Sequence, residues 1–284
     1  MQRLANKRVI VTGGSMGIGL AIAKRCAEEG ASLILVSRHK EDLENVIKTL
    51  TVNDGQNHEY HCLDVSSPEK VKEFFGTLTK KIEYIDGLVN CAGIYGPIGK
   101  LDEINPIEFT NTININLLGT FYMCHYSIPL LKKSRRGKIV NLSGGGAASP
   151  FPHYDGYAVS KISVVRLTEN IALEFKNDNI DINAIAPGFV ITRLHQETIK
   201  AGKKAGEDFL KKTLDQINAG GVSPDIAAKL TTFLLSSDSD GITGKFISAR
   251  WDPWENDNFL NRLRNDADFA AVRRIDDKTF FKKG

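Results

Sequence analysis

The sequence predicts an α/β fold, a doubly wound parallel sheet of about seven strands with helices on both faces, followed by a C-terminal extension. Three observations predict it. Apolar runs of strand length alternate with amphipathic runs of helix length between Arg8 and Ser248. The first apolar run passes directly into a glycine-rich turn that opens a helix. With 284 residues, 42% hydrophobic and 25% charged, the chain is long enough for one large core, and no composition shift calls for a second. Residues 1–250 are therefore expected to form one unit and 251–284 the extension.

Strands are predicted at RVIVT, SLILVS, EYHCL, GLVN, KIVNL, INAIA and GKFIS, with helical patterns between most of them. The longest such pattern runs from Pro106 to about Lys133. In the first unit, VIVTGGSMGIG (Val9 to Gly19) leads into LAIAKRCAEEG. Gly13 can take a backbone conformation closed to other residues, and Gly17 and Gly19 lack side chains that would hold a phosphate away. Ser15, Met16 and Ile18 complete the turn, and the helix N-terminus presents free N–H groups to an anion. Strand, glycine turn and helix in that order suit a dinucleotide, although such a turn can also be a simple tight connection.

Ser37-Arg38 closes the second strand, where a dinucleotide fold presents a side chain to the adenosine ribose. A guanidinium there pairs with a 2′-phosphate, whereas an acid would repel it, so NADP(H) is favoured over NAD(H). Asp64 and Val65 follow the third strand, and Asn90-Cys91-Ala92-Gly93 ends the fourth with small residues that allow a ligand close to the backbone. The sharpest chemical signal is Tyr157-Ala158-Val159-Ser160-Lys161 on a helix. Four residues apart, Tyr157 and Lys161 share a face. A phenol with a reference pKa of about 10 is a poor acid or base near neutrality, but an ammonium and a cationic nicotinamide beside it favour phenolate.

Taken together, the glycine turn, Arg38 and the Tyr157/Lys161 pair resemble the short-chain dehydrogenase/reductase family in its NADP-preferring branch, from about Lys7 to Ser248. The resemblance implies a Rossmann-type fold and an oxidoreductase acting on carbonyl or secondary-alcohol groups. It implies that Asp64 bonds the adenine amino group and that Asn90, Ala92 and Gly93 form the N-A-G motif, with Cys91 in its second position. Asn116, in INLLG, matches the family's catalytic asparagine, whose carbonyl holds a relay water; Asn114 is a near neighbour. Pro187, Gly188, Val190 and Thr192, in PGFVIT, resemble the P-G-x-x-x-T segment that cradles the nicotinamide amide and diphosphate. The resemblance also implies a homodimer or homotetramer built on the long helices after Pro106 and around Tyr157.

One position departs from the family. A serine thirteen residues before the tyrosine is expected to steady the substrate carbonyl, but Gly144 stands there, in Ser143-Gly144-Gly145-Gly146. Ser143 is the expected substitute; Ser149, His153, Tyr154 or Tyr157 alone remain open as the donor. Tyr95, His153, Tyr154, Arg193 and His195 fall on loops at strand ends and are candidate substrate contacts.

Residues 193–221 are charged and helical in pattern and read as a substrate lid. Arg193, His195, Lys200, Lys203 and Lys204 would suit an anionic substrate or form a solvated face. Trp251 and Trp254 open the extension and could anchor it over the pocket or on a partner, while KTFFKKG at the end is expected to be flexible. The LSGGGA loop and W-D-P-W-E segment resemble a bacterial subgroup linked to cell-surface polysaccharide assembly, which makes a keto-sugar or nucleotide-linked sugar a candidate substrate. A 3-oxoacyl substrate, or a catalytically silent NADP-binding scaffold or sensor, are the alternatives.

A net charge of +3 from 37 basic and 34 acidic residues argues against nucleic acid as a partner. No apolar run approaches a membrane span, and no secretory signal pattern opens the chain. Cys26, Cys62, Cys91 and Cys124 lack metal or disulfide spacing, so reduced thiols, a cytoplasmic setting and no metal are expected.

Overall fold

The computed structural model describes residues 2–274. Strands β1 (Arg8–Thr12), β2 (Ser32–Ser37), β3 (Glu59–Cys62), β4 (Gly87–Asn90), β5 (Gly137–Leu142), β6 (Ile180–Ala186) and β7 (Phe246–Ser248) form one seven-stranded sheet. Every neighbouring pair is parallel, in the order β3-β2-β1-β4-β5-β6-β7. Successive side chains of a strand point to opposite faces, so a strand buried on both sides carries apolar residues on both, with its polar positions paired inside, as Asn90 with Asn141 and Lys138 with Asp181. In β1, Val9 and Val11 enter one core and Ile10 the other.

On the Val9 face lie α1 (Gly17–Glu28), α2 (Lys40–Ile47) and α9 (Pro224–Leu235). The Ile10 face carries α3 (Pro68–Leu78) and α5 (Gly119–Leu131), beside α4 (Pro106–Ile113) and α6 (Asp155–Glu174). Local chemistry sets the helix starts. Ser67, Asn105 and Ser223 each accept a backbone N–H of the following turn, and a proline takes the first helical position after each.

The helix expected from Pro106 to about Lys133 is interrupted. Between α4 and α5 the chain makes a π-turn over Asn114–Leu118, and Asn116 within it meets the loop after β4 and α6. A 3.6-residue apolar pattern does not signal that extra residue. Residues 193–221 fold as α7 (Arg193–Ala201), a 3₁₀ turn at Gly202–Ala205 and α8 (Glu207–Asn218). No described helix is long and apolar enough to cross a membrane.

The extension, described to residue 274, packs back on the body; KTFFKKG lies outside the described residues. Its two tryptophans differ: Trp254 is 7% exposed and packs on Phe233, whereas Trp251 is 79% exposed. Leu260 and Leu263 of α10 (Asp257–Asn265) join the same core as Trp254. Lys245 Nζ donates to the carbonyls of Asp266, Ala267 and Phe269. Glu169 of α6 accepts from the Val272 N–H and from Arg273, each at 3.1 Å. Glu169→Ala is expected to speed amide exchange at Val272 by about tenfold, the loss of one charge-assisted bond. An unchanged rate would show that the extension is held by Lys245 and the apolar contacts alone.

Candidate active site

The strand order reverses between β1 and β4, and a cleft opens beyond their C-terminal ends. Gly13, Ser15, Met16, Gly17, Ile18 and Gly19 border it from the first turn, Ser37 and Arg38 from the end of β2, and Asp64 and Val65 from the end of β3. Cys91, Ala92, Gly93 and Ile94 after β4, and Thr192 to Leu194 before and within α7, complete the wall.

A dinucleotide fits these residues. Gly13 holds a φ of +65°, and a Cβ there would stand 2.9 Å from the Ala92 nitrogen, so only glycine lets the two turns close on each other. Helix α1 begins at the cleft with Met16 as an uncapped N-cap and no acid in its first turn, leaving backbone N–H groups for phosphate oxygens. Ser15 and Ser37 hydroxyls meet at 3.0 Å beneath. The Asp64 carboxylate is fixed by the Ser66 N–H at 3.0 Å and hydroxyl at 2.7 Å. Arg38, His39, Lys40 and Arg193 surround a side recess at the end of β2, with Glu41 and Asp42 on its rim. Arg193, expected to touch substrate, borders both this recess and the main cleft.

Several expected cofactor residues lie elsewhere. Asn90 is buried in the sheet, where its amide donates to Asn141 Oδ1 at 2.9 Å and Cys124 Sγ at 3.3 Å. It supports the sheet beneath the cleft and does not border it, because the last strand position turns the side chain inward. Of the PGFVIT segment, Thr192 borders the cleft. Gly188, at a φ of +85°, has Arg250 and Val222 on the side where a Cβ would stand, and the Val190 side chain is buried.

Tyr157 lies in the first turn of α6 and Lys161 one turn later. Lys161 Nζ donates to the Leu142 carbonyl at 2.8 Å and lies 5.6 Å from the Tyr157 ring centre. A Cβ on Gly93 would stand 3.2 Å from Asn116 Oδ1 and 3.4 Å from Lys161 Nζ, so these groups converge behind a wall that glycine keeps thin. Asn116 Oδ1 accepts the Ile94 N–H, and its amide donates to the Ile94 carbonyl and Ser160 Oγ, all at 2.9 Å. Its backbone carbonyl accepts from Thr120. Asn116 therefore clamps the loop after β4, a role its sequence position does not disclose.

Tyr157 is 8% exposed and Lys161 5%. Burial lowers Lys161 to about 8 and raises Cys91, beside it, to about 11. Tyr157 is also pushed above its ordinary value, by burial first and then by Cys91. The expected lowering by Lys161 is absent here because desolvation dominates.

The glycine run corrects the expectation for Ser143. Its hydroxyl is buried and donates to the Lys161 carbonyl at 3.0 Å. A Cβ on Gly144 would stand 2.4 Å from Tyr157 Oη, so the phenol fills the space a serine side chain would need. Over Tyr157 lies an aromatic group. Tyr95 meets it edge-on at 4.8 Å, Phe151 stacks on Tyr154 at 4.4 Å, and Phe209 of α8 closes on Phe151 at 4.7 Å. Tyr154 Oη donates to Thr198 of α7 at 2.8 Å. His153 lies against Gly206. Phe151 and Phe209 carry no sequence mark that separates a pocket wall from ordinary core. Among the described residues no His, Cys, Asp and Glu cluster is placed to hold a metal.

A doubly wound sheet with an anion-binding turn at its switch point, and a buried tyrosine and lysine at the far end of the cleft, defines a nicotinamide-dependent oxidoreductase. A family model for short chain dehydrogenases matches residues 7–203, and the chain belongs to that family. Levodione reductase of Leifsonia aquatica is 32% identical over 255 residues, 86% of this chain and 93% of that protein. The 3-oxoacyl-acyl-carrier-protein reductase of Thermotoga maritima is 34% identical, covering 86% of this chain and 96% of its own length. Among solved structures, NAD+-bound xylitol dehydrogenase superposes with a TM-score of 0.79 at 26% identity, covering 87% of this chain and 98% of that one.

Proposed function

We propose that the protein is an NADP(H)-dependent carbonyl reductase and secondary-alcohol dehydrogenase for a compact ring or sugar-like ketone. The observation that carries the chemistry is the convergence of Tyr157, Lys161 and Asn116 behind Gly93 at one end of the dinucleotide cleft. The bound nicotinamide supplies hydride to a carbonyl or takes it from an alcohol. Tyr157 donates its phenolic proton to the carbonyl oxygen in reduction and takes the alcohol proton in oxidation. Lys161 stabilises the phenolate by charge and offers its remaining donors to the nicotinamide ribose. Asn116 holds the Ile94 loop, and the walls of Tyr95, Phe151 and Phe209 exclude water.

Arg38, His39, Lys40 and Arg193 at the adenosine end support the preference for a 2′-phosphate. Levodione reductase and xylitol dehydrogenase act, by their names, on a cyclic ketone and a polyol, which supports a ring or sugar-like substrate of the keto-sugar class. The Thermotoga relative favours a second reading, a 3-oxoacyl thioester. The basic lid argues less for an anion than its sequence suggests, since Arg193 and Lys203 face Glu197 and Glu207 one turn on. Exposed Ile107, Phe121 and Val159 on α4, α5 and α6 support a self-associated form.

The test is consumption of NADPH and NADH with levodione, a ketopentose and acetoacetyl-CoA. Fastest turnover of the ketopentose or levodione with NADPH is expected; fastest turnover of the thioester would select the second reading. Arg38→Asp is expected to lower kcat/KM for NADPH by about 10²-fold and to leave NADH nearly unchanged, the loss of a charge-assisted phosphate contact. Equal losses for both cofactors would place the 2′-phosphate elsewhere.

A further inference from the structure

Reduction leaves negative charge on the carbonyl oxygen until its proton arrives, and a second donor beside the acid stabilises that charge. Position 144 has no side chain, and the Tyr157 hydroxyl occupies the place of a Cβ. Ser143 spends its hydrogen on the Lys161 carbonyl and Tyr154 on Thr198, Ser149 is exposed to solvent, and the His153 ring lies against Gly206 ahead of α8 with its Nδ1 buried. We propose that Tyr95 takes over this task, donating a hydrogen bond from its phenol to the substrate carbonyl oxygen beside Tyr157, with His195 setting the direction of the donor.

The geometry begins at β4. Gly93 and Ile94 leave the strand on the cleft wall, and Tyr95 follows directly, 5% exposed, its ring perpendicular to that of Tyr157 at 4.8 Å. A phenol can donate to a substrate only if its hydrogen is not already committed. His195, on α7, lies across from it with Nε2 at 3.5 Å from Tyr95 Oη. The Thr192 backbone N–H points at His195 Nδ1 at 3.4 Å, so Nδ1 is the accepting nitrogen. Burial holds the imidazole at about 4, hence neutral at working pH, and its single hydrogen must sit on Nε2. In that tautomer Nε2–H donates to Tyr95 Oη across 3.5 Å, and the phenol keeps its own hydrogen free of His195. Burial also raises Tyr95, with the neighbouring Tyr157 and Tyr154 adding to the effect, so the phenol stays protonated. The proton transferred in the reaction comes from Tyr157; Tyr95 gives none up.

The inference rests on the proposed carbonyl chemistry, and its test separates the two. Tyr95→Phe keeps the ring and removes only the hydroxyl. With whichever of levodione, the ketopentose or acetoacetyl-CoA is reduced fastest, kcat is expected to fall by about 10²-fold, the effect of one lost oxyanion donor. KM should move far less, and cofactor affinity and melting temperature should stay as in the parent. Nitrogen-15 spectra of the imidazoles, with His195→Gln for assignment, should show His195 neutral and protonated at Nε2. A Tyr95→Phe enzyme with near-parental kcat, or a His195 protonated at Nδ1, overturns the inference. If Tyr157→Phe alone is inactive, the proposed function stands without it; if no carbonyl is reduced by the parent protein, both fall.

Discussion

Tyr157→Phe should lower kcat for carbonyl reduction by about 10³-fold, within the range expected when a general acid is removed, and should leave cofactor affinity within about twofold. The substitution deletes one oxygen. The ring keeps its edge-on contact with Tyr95 and its place beside Phe151, so the aromatic group over the site and the stability of the fold are retained. What disappears is the proton source that stands over Gly144 and within reach of the Lys161 ammonium. Stopped-flow reduction with saturating cofactor reports the chemical step directly, and cofactor quenching of protein fluorescence reports binding. A variant that turns over at the parental rate would take Tyr157 out of the chemistry. One that also lost cofactor affinity would make it a binding residue first.

The sheet was legible because a parallel strand covered on both faces is apolar over most of its length. Val9, Ile10 and Val11 read as one apolar run, and the structure sends alternate members to two cores. Gly13 and Gly19 were legible for a different reason: a Cβ would meet backbone at 2.9 Å and 2.2 Å, so these positions exclude other residues. Direction was not legible. Ser143 and Asn90 sit at strand ends, where one residue of register decides whether a side chain meets the cleft or the interior, and both turn inward. The π-turn at Asn116 adds a residue without disturbing the apolar stripe. Arg193 could be placed on a lid from its charge, but which end of the cleft it faces depends on how α7 docks. The sign of the Tyr157 shift likewise depends on burial, a property of packing.

Burial also sets the second large effect, at Lys161. Lys161→Met is expected to lose turnover much as Tyr157→Phe does, and to gain stability at neutral pH. In the folded protein burial brings Lys161 to about 8 from an ordinary 10.5, a difference equivalent to about 3 kcal/mol against the charged form. Below the folded value both the folded and unfolded chains carry the proton, and the folded state bears the whole penalty. Between about 8 and 10.5 the unfolded chain keeps the proton that the folded chain releases, so parental stability rises with pH; above that window the penalty is gone. Methionine has no such penalty but leaves the Leu142 carbonyl without its donor, a cost of about 1–3 kcal/mol at every pH. The variant should therefore be the more stable protein at neutral pH, by about 1 kcal/mol, and the less stable one at the top of the window. Urea midpoints for both proteins across that range check the crossing, and a difference that does not vary with pH would show that Lys161 is not a buried cation at all. If the crossing is found, the ammonium is held at a cost to the fold that only its action on Tyr157 and the ribose explains.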